Sequence, residues 1–383
     1  MSEIKVNSIK GVGASTAAIT VNNTDGTCTA NITNNLSNRN LIINGAMNVA
    51  QRGTSFSAVQ NTFTLDRFKF KRESTAANFT MAQSTTSPDG FANSLKMTVT
   101  AADTSTASNE FVMLRYNIEA QDLQSLGYGT ASAKPLVLSF YVRSSLTGVY
   151  GVNCLQIDNS NKIYSQTYTI NSANTWERKT ISIPADTSGV INNDNGVGLQ
   201  INFALVIGSS YKGSAVSSAY ESYSNDKFAS QHGVNFASST SNDWYLTGVQ
   251  LEATDTGVAT DFEHRSIGQE LALCQRYYYV HAEGGDKPVG TGSMYLSSQL
   301  YVPLYFPTTM RTNPSIEQTT GTNYYRALSN GAVDDFDSFS ALWRGSNNSA
   351  FLSVTSGVSL SAGNSAMVVT ENGSAKLAFA AEL

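Results

Sequence analysis

The chain has 383 residues and a formal net charge of -5, and only 14% of it is charged. Its polarity comes from 34 Asn, 49 Ser and 38 Thr, while 41% hydrophobic and 10% aromatic residues supply material for packed cores. That balance excludes wholesale disorder, and a mildly acidic chain without basic blocks is a poor match for the phosphate backbone of a nucleic acid. Three widely separated cysteines (Cys28, Cys154, Cys274) and three histidines argue against a disulfide framework, a zinc knuckle or a His/Cys catalytic centre. No stretch is apolar for long enough to insert in a membrane, and the N-terminal MSEIKVNSIKG lacks the apolar run of a signal peptide.

Residues 1–40 contain no aromatic side chain, only short β-branched runs at 4–6, 18–21 and 29–33 separated by turn-forming steps. Asp25-Gly26 suits a hairpin turn. So little apolar area cannot offset roughly 1–2 kcal/mol of backbone entropy per residue. This segment is therefore expected to attach or oligomerise, gaining its core from neighbours, with a flexible tail as the alternative.

From 41 to 265 the chain repeats a strand-like alternation followed by a polar loop. Strands are expected at 63–70 (FTLDRFKF), 94–98, 136–142, 176–183, 197–206 and 244–252. In FTLDRFKF the apolar order breaks near Asp66, which implies a bulge or an aromatic on the second face. Leu199, Ile201, Phe203 and Leu205 keep period two and commit one face to a core, leaving Gln200 and Asn202 outward or in a groove. A short helix at 118–126 would plug one end. The pattern predicts an all-β chain: a jelly-roll-like antiparallel β-sandwich, a linking helix and strand start at 266–280, and a smaller distal β domain at 281–383.

In the exit segment SIGQELALCQRYYYV, Ser266 and Gln269 form a capping-box pair, and Ile267, Leu271, Cys274 and Tyr278 fall on one helical face. Cys274 therefore reads as a buried small hydrophobe. In the distal region the last two strands, 366–370 and 375–380, flank Asn372-Gly373, which suits a hairpin.

LIINGAMNVAQRGTSF (41–56), followed by FTLDRFKF, resembles the opening of a domain common in tail-fibre and other appendage proteins of bacterial viruses, especially marine ones. WYLTGVQLEATDTGVATDFEHRSIGQELALCQRYY (244–278) resembles the end of that module, with looser similarity at MSEIKVNSIKG and FPTTMRTNPSI (306–316). The resemblance implies a carbohydrate-binding-like jelly roll on a virion appendage. Its implied partners are other phage tail or virion proteins, further copies of itself (a trimer by analogy with fibres) and host surface polysaccharide. A purely architectural collar, baseplate or capsid-decorating protein is the alternative. Related sugar-binding jelly rolls hold a structural calcium near the region matching Asn44, with an acidic partner in the last strand, here Glu252.

Sugar recognition needs flat rings and a few exact polar groups. Among loop aromatics, Tyr150, Tyr164, Tyr168 and Trp244 are available, and the long segment 211–228 offers Tyr211, Tyr220 and Tyr223 with Asp226, either for a ligand or for a neighbouring subunit. Trp343-Arg344 in LWRGSNN is a further candidate at an outer tip, with a core tryptophan as the equal alternative. Glycoside hydrolysis would need two carboxylates about 5–9.5 Å apart. Asp158, Asp243 and the DDFD cluster (Asp334, Asp335, Asp337) are present, but DDFD reads as a solvated turn, no G-x-S-x-G elbow occurs, and no catalysis is expected. The paired acid and base in LDRF (Asp66, Arg67) and DFEHR (Glu263, Arg265) read as structural anchors.

Overall fold

The computed structural model describes residues 6–10, 12, 18–22, 24, 26, 28–30 (backbone only), 38–57, 59–158, 161–254 and 257–383. Near the N-terminus β1 (Ser8–Ile9), β2 (Ile19–Val21) and β3 (Cys28–Ala30) pair antiparallel in that order. Of the features expected there, Asp25, residues 4–5 and residues 31–33 lie outside the described residues.

Twelve strands follow in chain order: β4 (Ser55–Ser57), β5 (Phe68–Glu73), β6 (Asn78–Ser84), β7 (Ser94–Ala101), β8 (Phe111–Glu119), β9 (Leu136–Ser144), β10 (Gly148–Gln156), β11 (Lys162–Ile170), β12 (Glu177–Ile183), β13 (Val197–Ile207), β14 (Glu221–Ser222) and β15 (Asp243–Ala253). They form two six-stranded antiparallel sheets, β14-β11-β10-β13-β8-β5 and β12-β9-β15-β7-β6-β4. The chain crosses repeatedly from one sheet to the other, so both inner faces close on one core, and the expected antiparallel sandwich is what forms. Leu199, Ile201, Phe203 and Leu205 of β13 are buried in it, with Phe140 edge-on to Phe203 at 5.1 Å. The expected end-plug helix is a 3-10 turn at Ala120–Leu126, because Ile118 remains in β8.

FTLDRFKF is not one strand. Phe63 bridges back to Lys69, the Phe70 N–H donates to the Thr62 carbonyl at 2.8 Å, and Arg67 takes a left-handed φ of 72°. The break near Asp66 is thus a chain reversal rather than a bulge.

The two signature segments lie against each other. The Leu41 N–H donates to the Leu251 carbonyl at 2.9 Å and the Val249 N–H to the Gly45 carbonyl at 3.0 Å. A Cβ on Gly45 would fall 2.1 Å from the Val249 oxygen, so only glycine allows this approach. Glu263 accepts from the Asn40 N–H at 2.8 Å, while Arg265 donates to the carbonyls of Asn40 and Ile42, so the DFEHR pair pins the chain's entry as well as its exit.

Helix α1 (Ile267–Gln275) starts with the expected capping box, and Cys274 is buried. The expected stripe is only half correct. Ile267 is 62% exposed, and the buried face is instead Glu270 and Cys274. Glu270 replaces an apolar contact by accepting the Asn44 N–H at 2.6 Å and facing Arg265 at 3.4 Å.

The distal strands are β16 (Tyr278–Glu283), β17 (Pro288–Leu296), β18 (Gln299–Tyr305), β19 (Ser315–Gln318), β20 (Tyr325–Ser329), β21 (Ala332–Phe336), β22 (Ala341–Trp343), β23 (Ser349–Val354), β24 (Ser365–Thr370) and β25 (Lys376–Ala380). A seven-stranded sheet, β21-β20-β24-β17-β18-β23-β22, packs on a three-stranded one, β16-β25-β19, over a second core that includes Tyr325, Phe336 and Phe379. The expected terminal hairpin does not form: β24 and β25 belong to different sheets, and the Asn372-Gly373 turn carries the chain between them.

A buried polar seam joins the two domains. The Arg67 guanidinium lies 3.4 Å over the Tyr277 ring, donates to the Asn117 carbonyl at 2.7 Å and pairs with Glu382. Burial works against its charge, yet Glu382 and Tyr277 hold its pKa above the ordinary arginine value. Arg276 forks onto Glu119 at 2.7 and 2.8 Å, and Lys376 donates to the Gln51 carbonyl at 2.8 Å. Asp66 does not bond Arg67; it accepts from the Gln51 backbone and side chain at 2.7 and 2.6 Å.

Candidate functional site

The segment expected to present tyrosines folds back over the outer face of the β5–β14 sheet. Phe228 is buried there with Met113, Leu155 and Ile163, and the rings of Tyr211 and Tyr223 pack on it at 6.3 and 6.4 Å. Tyr220 turns into the gap beside Tyr128 and Tyr164, its hydroxyl 3.1 Å from Cys154 Sγ, and burial pushes its pKa well up. Asp226 is exposed and accepts from the Ser224 hydroxyl at 2.6 Å. Apolar contact with Met113, Leu155 and Ile163 outcompetes display, so these tyrosines anchor the segment to its own sheet.

Trp244 requires a correction. It stands in β15, is fully buried between the sheets and meets Phe203 at 6.4 Å, so it is a core residue. Tyr150, Tyr164 and Tyr168 are likewise buried in strands β10 and β11. The alternation of Trp244 with Leu246, resumed one residue out of phase at Val249 and Leu251 after the register shift around Gly248, was the available signal.

Asn44 and Glu252, the residues implied for calcium, are each engaged by the chain. The Asn44 amide donates to the carbonyls of Val49 and Asp66 and accepts the Val49 N–H at 2.9 Å. Glu252 accepts from the Thr260 N–H at 2.9 Å and faces Arg39 at 3.4 Å. Among the described residues no group of three or more His, Cys, Asp or Glu is arranged to hold a metal ion.

The carboxylates considered for hydrolysis are likewise engaged by the chain, some by backbone and some by side chains. Asp335 pairs with Arg326 at 2.6 Å, Asp334 accepts the Ser359 N–H, and Asp337 accepts the Asn323 N–H at 3.0 Å. Asp158 accepts the Asn192 N–H at 3.0 Å, and Asp243 bonds Thr98 at 2.6 Å and Lys96 at 3.0 Å.

Trp343 and Arg344 are different. They close edge strand β22 on the outer face of the seven-stranded sheet, where Trp343 is 44% exposed. Because side chains alternate across a strand, β17 places Thr291, Ser293 and Tyr295 on this face, β18 places Tyr301 and Pro303, and β23 places Phe351. The register sets Ser293 opposite Tyr301 and Phe351 opposite both Pro303 and Trp343. The rings therefore meet: Trp343 to Tyr301 at 5.0 Å, Trp343 to Phe351 at 5.8 Å, and Tyr301 to Tyr295 at 6.0 Å. Tyr295 is 71% exposed and Phe351 37%. Arg344, at a left-handed φ of 50°, lays its guanidinium 4.3 Å over the Trp343 ring and has no ion pair or hydrogen bond to any other described residue. These side chains line a groove of about 810 Å³ whose polar rim includes Thr291, Ser293 and Ser365.

Such a groove offers broad apolar surface, with hydroxyl and guanidinium donors at its margin that hydrogen-bond to no other described residue, on paired strands. It suits a flat ligand with one apolar face and a hydroxylated edge. Sequence reading found Trp343 and Arg344 but missed Tyr295, Tyr301 and Phe351. The alternating T-x-S-x-Y and Y-x-P-x-Y steps of β17 and β18 carried that signal.

No family model matches the chain, and no curated protein matches it. Solved structures that match include a CBM4 module (13% identity, 55% of this chain and 98% of that one, TM-score 0.28). A family 11 carbohydrate-binding module from a Clostridium thermocellum cellulase matches at 12% identity, over 56% of this chain and 98% of its own, with a TM-score of 0.27. The enzymatically active domain of tailspike protein 4 from bacteriophage CBA120 matches at 11% identity and a TM-score of 0.28, over 52% of this chain but only 21% of the tailspike. Each is a weak likeness. No described helix is long and apolar enough to cross a membrane.

Proposed function

We propose that this chain is a non-catalytic glycan-binding subunit of a bacterial-virus appendage, and that its grip lies in the Tyr295–Tyr301–Trp343–Phe351 groove. The observation that carries the reading is the joining of these four rings, with the stacked Arg344, on one exposed face of a rigid sheet. A pyranose would lie with its C–H face on Trp343 and Tyr301 while its hydroxyls meet Arg344, Ser293 and Thr291. The placement on a virion is supported by the paired signatures at 41–56 and 244–278, whose mutual docking explains why they occur together.

Adsorption then needs only weak, reversible contacts. Several copies on one appendage, a trimer by analogy with fibres, would multiply apparent affinity through effective concentration. A glycan array followed by titration of the full chain with the best neutral oligosaccharide tests the reading. Saturable binding lost in Trp343→Ala supports it. Unaltered binding in that variant would refute the groove, and failure of particles to assemble with intact glycan binding would favour the architectural alternative.

A further inference from the structure

A second feature lies on the sandwich, away from the aromatic groove. On the outer face of the β5–β14 sheet, Lys69 and Lys71 stand two residues apart on edge strand β5, and Arg115 on β8 is the register partner of Lys69. The three cations thus neighbour one another at strand spacings, roughly 5 Å across and 7 Å along the sheet. All three are half-buried, and among the described residues none makes an ion pair. Arg115 donates only to neutral acceptors, the Asn202 Oδ1 at 2.8 Å and the Met113 Sδ. Lys69 lies 4.7 Å over the Phe63 ring.

The nearest carboxylates do not neutralise the group. Glu382 is already shared by Arg67 and Arg52, and Glu73, exposed and two residues beyond Lys71 on the same face of β5, favours the Lys71 charge without forming an ion pair with it. The pKa values of all three cations are lowered: burial is the largest cause in each, and mutual repulsion adds to it for the two lysines. In a chain of net charge -5, this is a local concentration of like charge held at a cost to stability.

The surroundings are polar and ordered. Asn202 donates to Asn153 at 2.8 Å, and Gln200 donates to Asn117 at 2.9 Å, giving a buried amide ladder beside the cations. The packed segment carrying Tyr223 borders one side, and the residues around Leu383, whose carbonyl accepts from Asn117 at 3.0 Å, border the other. An anion laid on this strip would relieve the repulsion.

We propose that Lys69, Lys71 and Arg115 form a second binding site, for an acidic saccharide bearing carboxylate or sulfate groups. The cations stand side by side along and across the sheet, so a ligand carrying several acidic groups can meet them together. A nucleic acid fits less well, because three cations on an acidic protein make too short a basic track. The site is independent of the distal groove and stands or falls without it.

Titration of the full chain with oligogalacturonate, with a sulfated dextran oligomer and with neutral dextran of equal length tests this directly. Binding is expected for one or both acidic oligomers and to weaken steeply with salt; the acidic oligomer that binds identifies carboxylate or sulfate as the recognised group. The double variant K69Q/K71Q is expected to lose about tenfold in affinity or more, whereas Trp343→Ala keeps it. In the wild-type chain, acetylation of Lys69 and Lys71 read by mass spectrometry should be suppressed by the bound oligomer, a measurement that needs no folded variant. Equal binding of neutral dextran and the acidic oligomers by Trp343→Ala, undiminished binding of the acidic oligomer when K69Q/K71Q is added to Trp343→Ala, unchanged acetylation, or tighter binding of single-stranded DNA of matched charge would each overturn the proposal.

Discussion

Gly45 and Gly268 show how differently one residue type can be constrained. A methyl group on Gly45 meets a backbone oxygen at 2.1 Å, and neither β15 nor the segment leading into the sandwich can yield without breaking their mutual hydrogen bonds. Gly45→Ala is expected to destabilise by about 1–3 kcal/mol, read as a lowered denaturant midpoint. A methyl on Gly268, in helix α1, meets nothing within 4 Å, so Gly268→Ala should be neutral or stabilise by up to about 1 kcal/mol. His232 gives a pH signature. Its Nδ1 accepts the Gly151 N–H at 3.0 Å and its Nε2 donates to the Val234 carbonyl at 2.7 Å, so the folded protein holds it neutral, and burial pushes its pKa down to about 4. Above about pH 6.5 folded and unfolded chains both carry a neutral ring. Below that the unfolded chain binds the proton first, so stability should fall between about pH 6.5 and 4, by roughly 3 kcal/mol in all from this group. Equilibrium unfolding of wild type and His232→Gln across that window should show a shallower acid slope for the variant.

At the level of elements, legibility followed periodicity. Strand β13 was readable because Leu199, Ile201, Phe203 and Leu205 alternate, and helix α1 because Ser266 and Gln269 cap it. Sequence reading failed where tertiary contacts decided. FTLDRFKF looks continuous, but Arg67 reverses the chain to reach Tyr277 and Glu382, residues more than two hundred positions away. Asn372-Gly373 suits a hairpin, yet β25 is recruited by β16 and β19. The 211–228 tyrosines carry no mark distinguishing a ligand surface from an apolar seat, and Phe228 decides for the seat. Arg67 is the strongest structural test among these. Arg67→Ala leaves buried groups in the seam without their partner and is expected to cost about 3–5 kcal/mol, whereas Lys71→Ala on the outer face of β5 should move the unfolding midpoint little.

Across the whole molecule, the two domains share the seam of Arg67 with Glu382, Arg276 with Glu119, and Lys376 with the Gln51 carbonyl. Calorimetry of the full chain should therefore show the sandwich and the distal domain unfolding in a single transition, and two separated transitions would contradict their coupling. The two-domain β organisation was visible in the sequence, but the position of the aromatic groove was only partly so. Trp343 and Arg344 could be singled out by type, while Tyr295, Tyr301 and Phe351 join them only through the register of β17, β18, β22 and β23. The most direct measurement is calorimetric titration of a neutral oligosaccharide selected on a glycan array into wild type and Trp343→Ala. The expected result is saturable binding weakened about thirtyfold or more by the substitution, as befits a central aromatic anchor, with the unfolding midpoint unchanged. Equal affinity of the two proteins, or binding of no glycan at all, would contradict it.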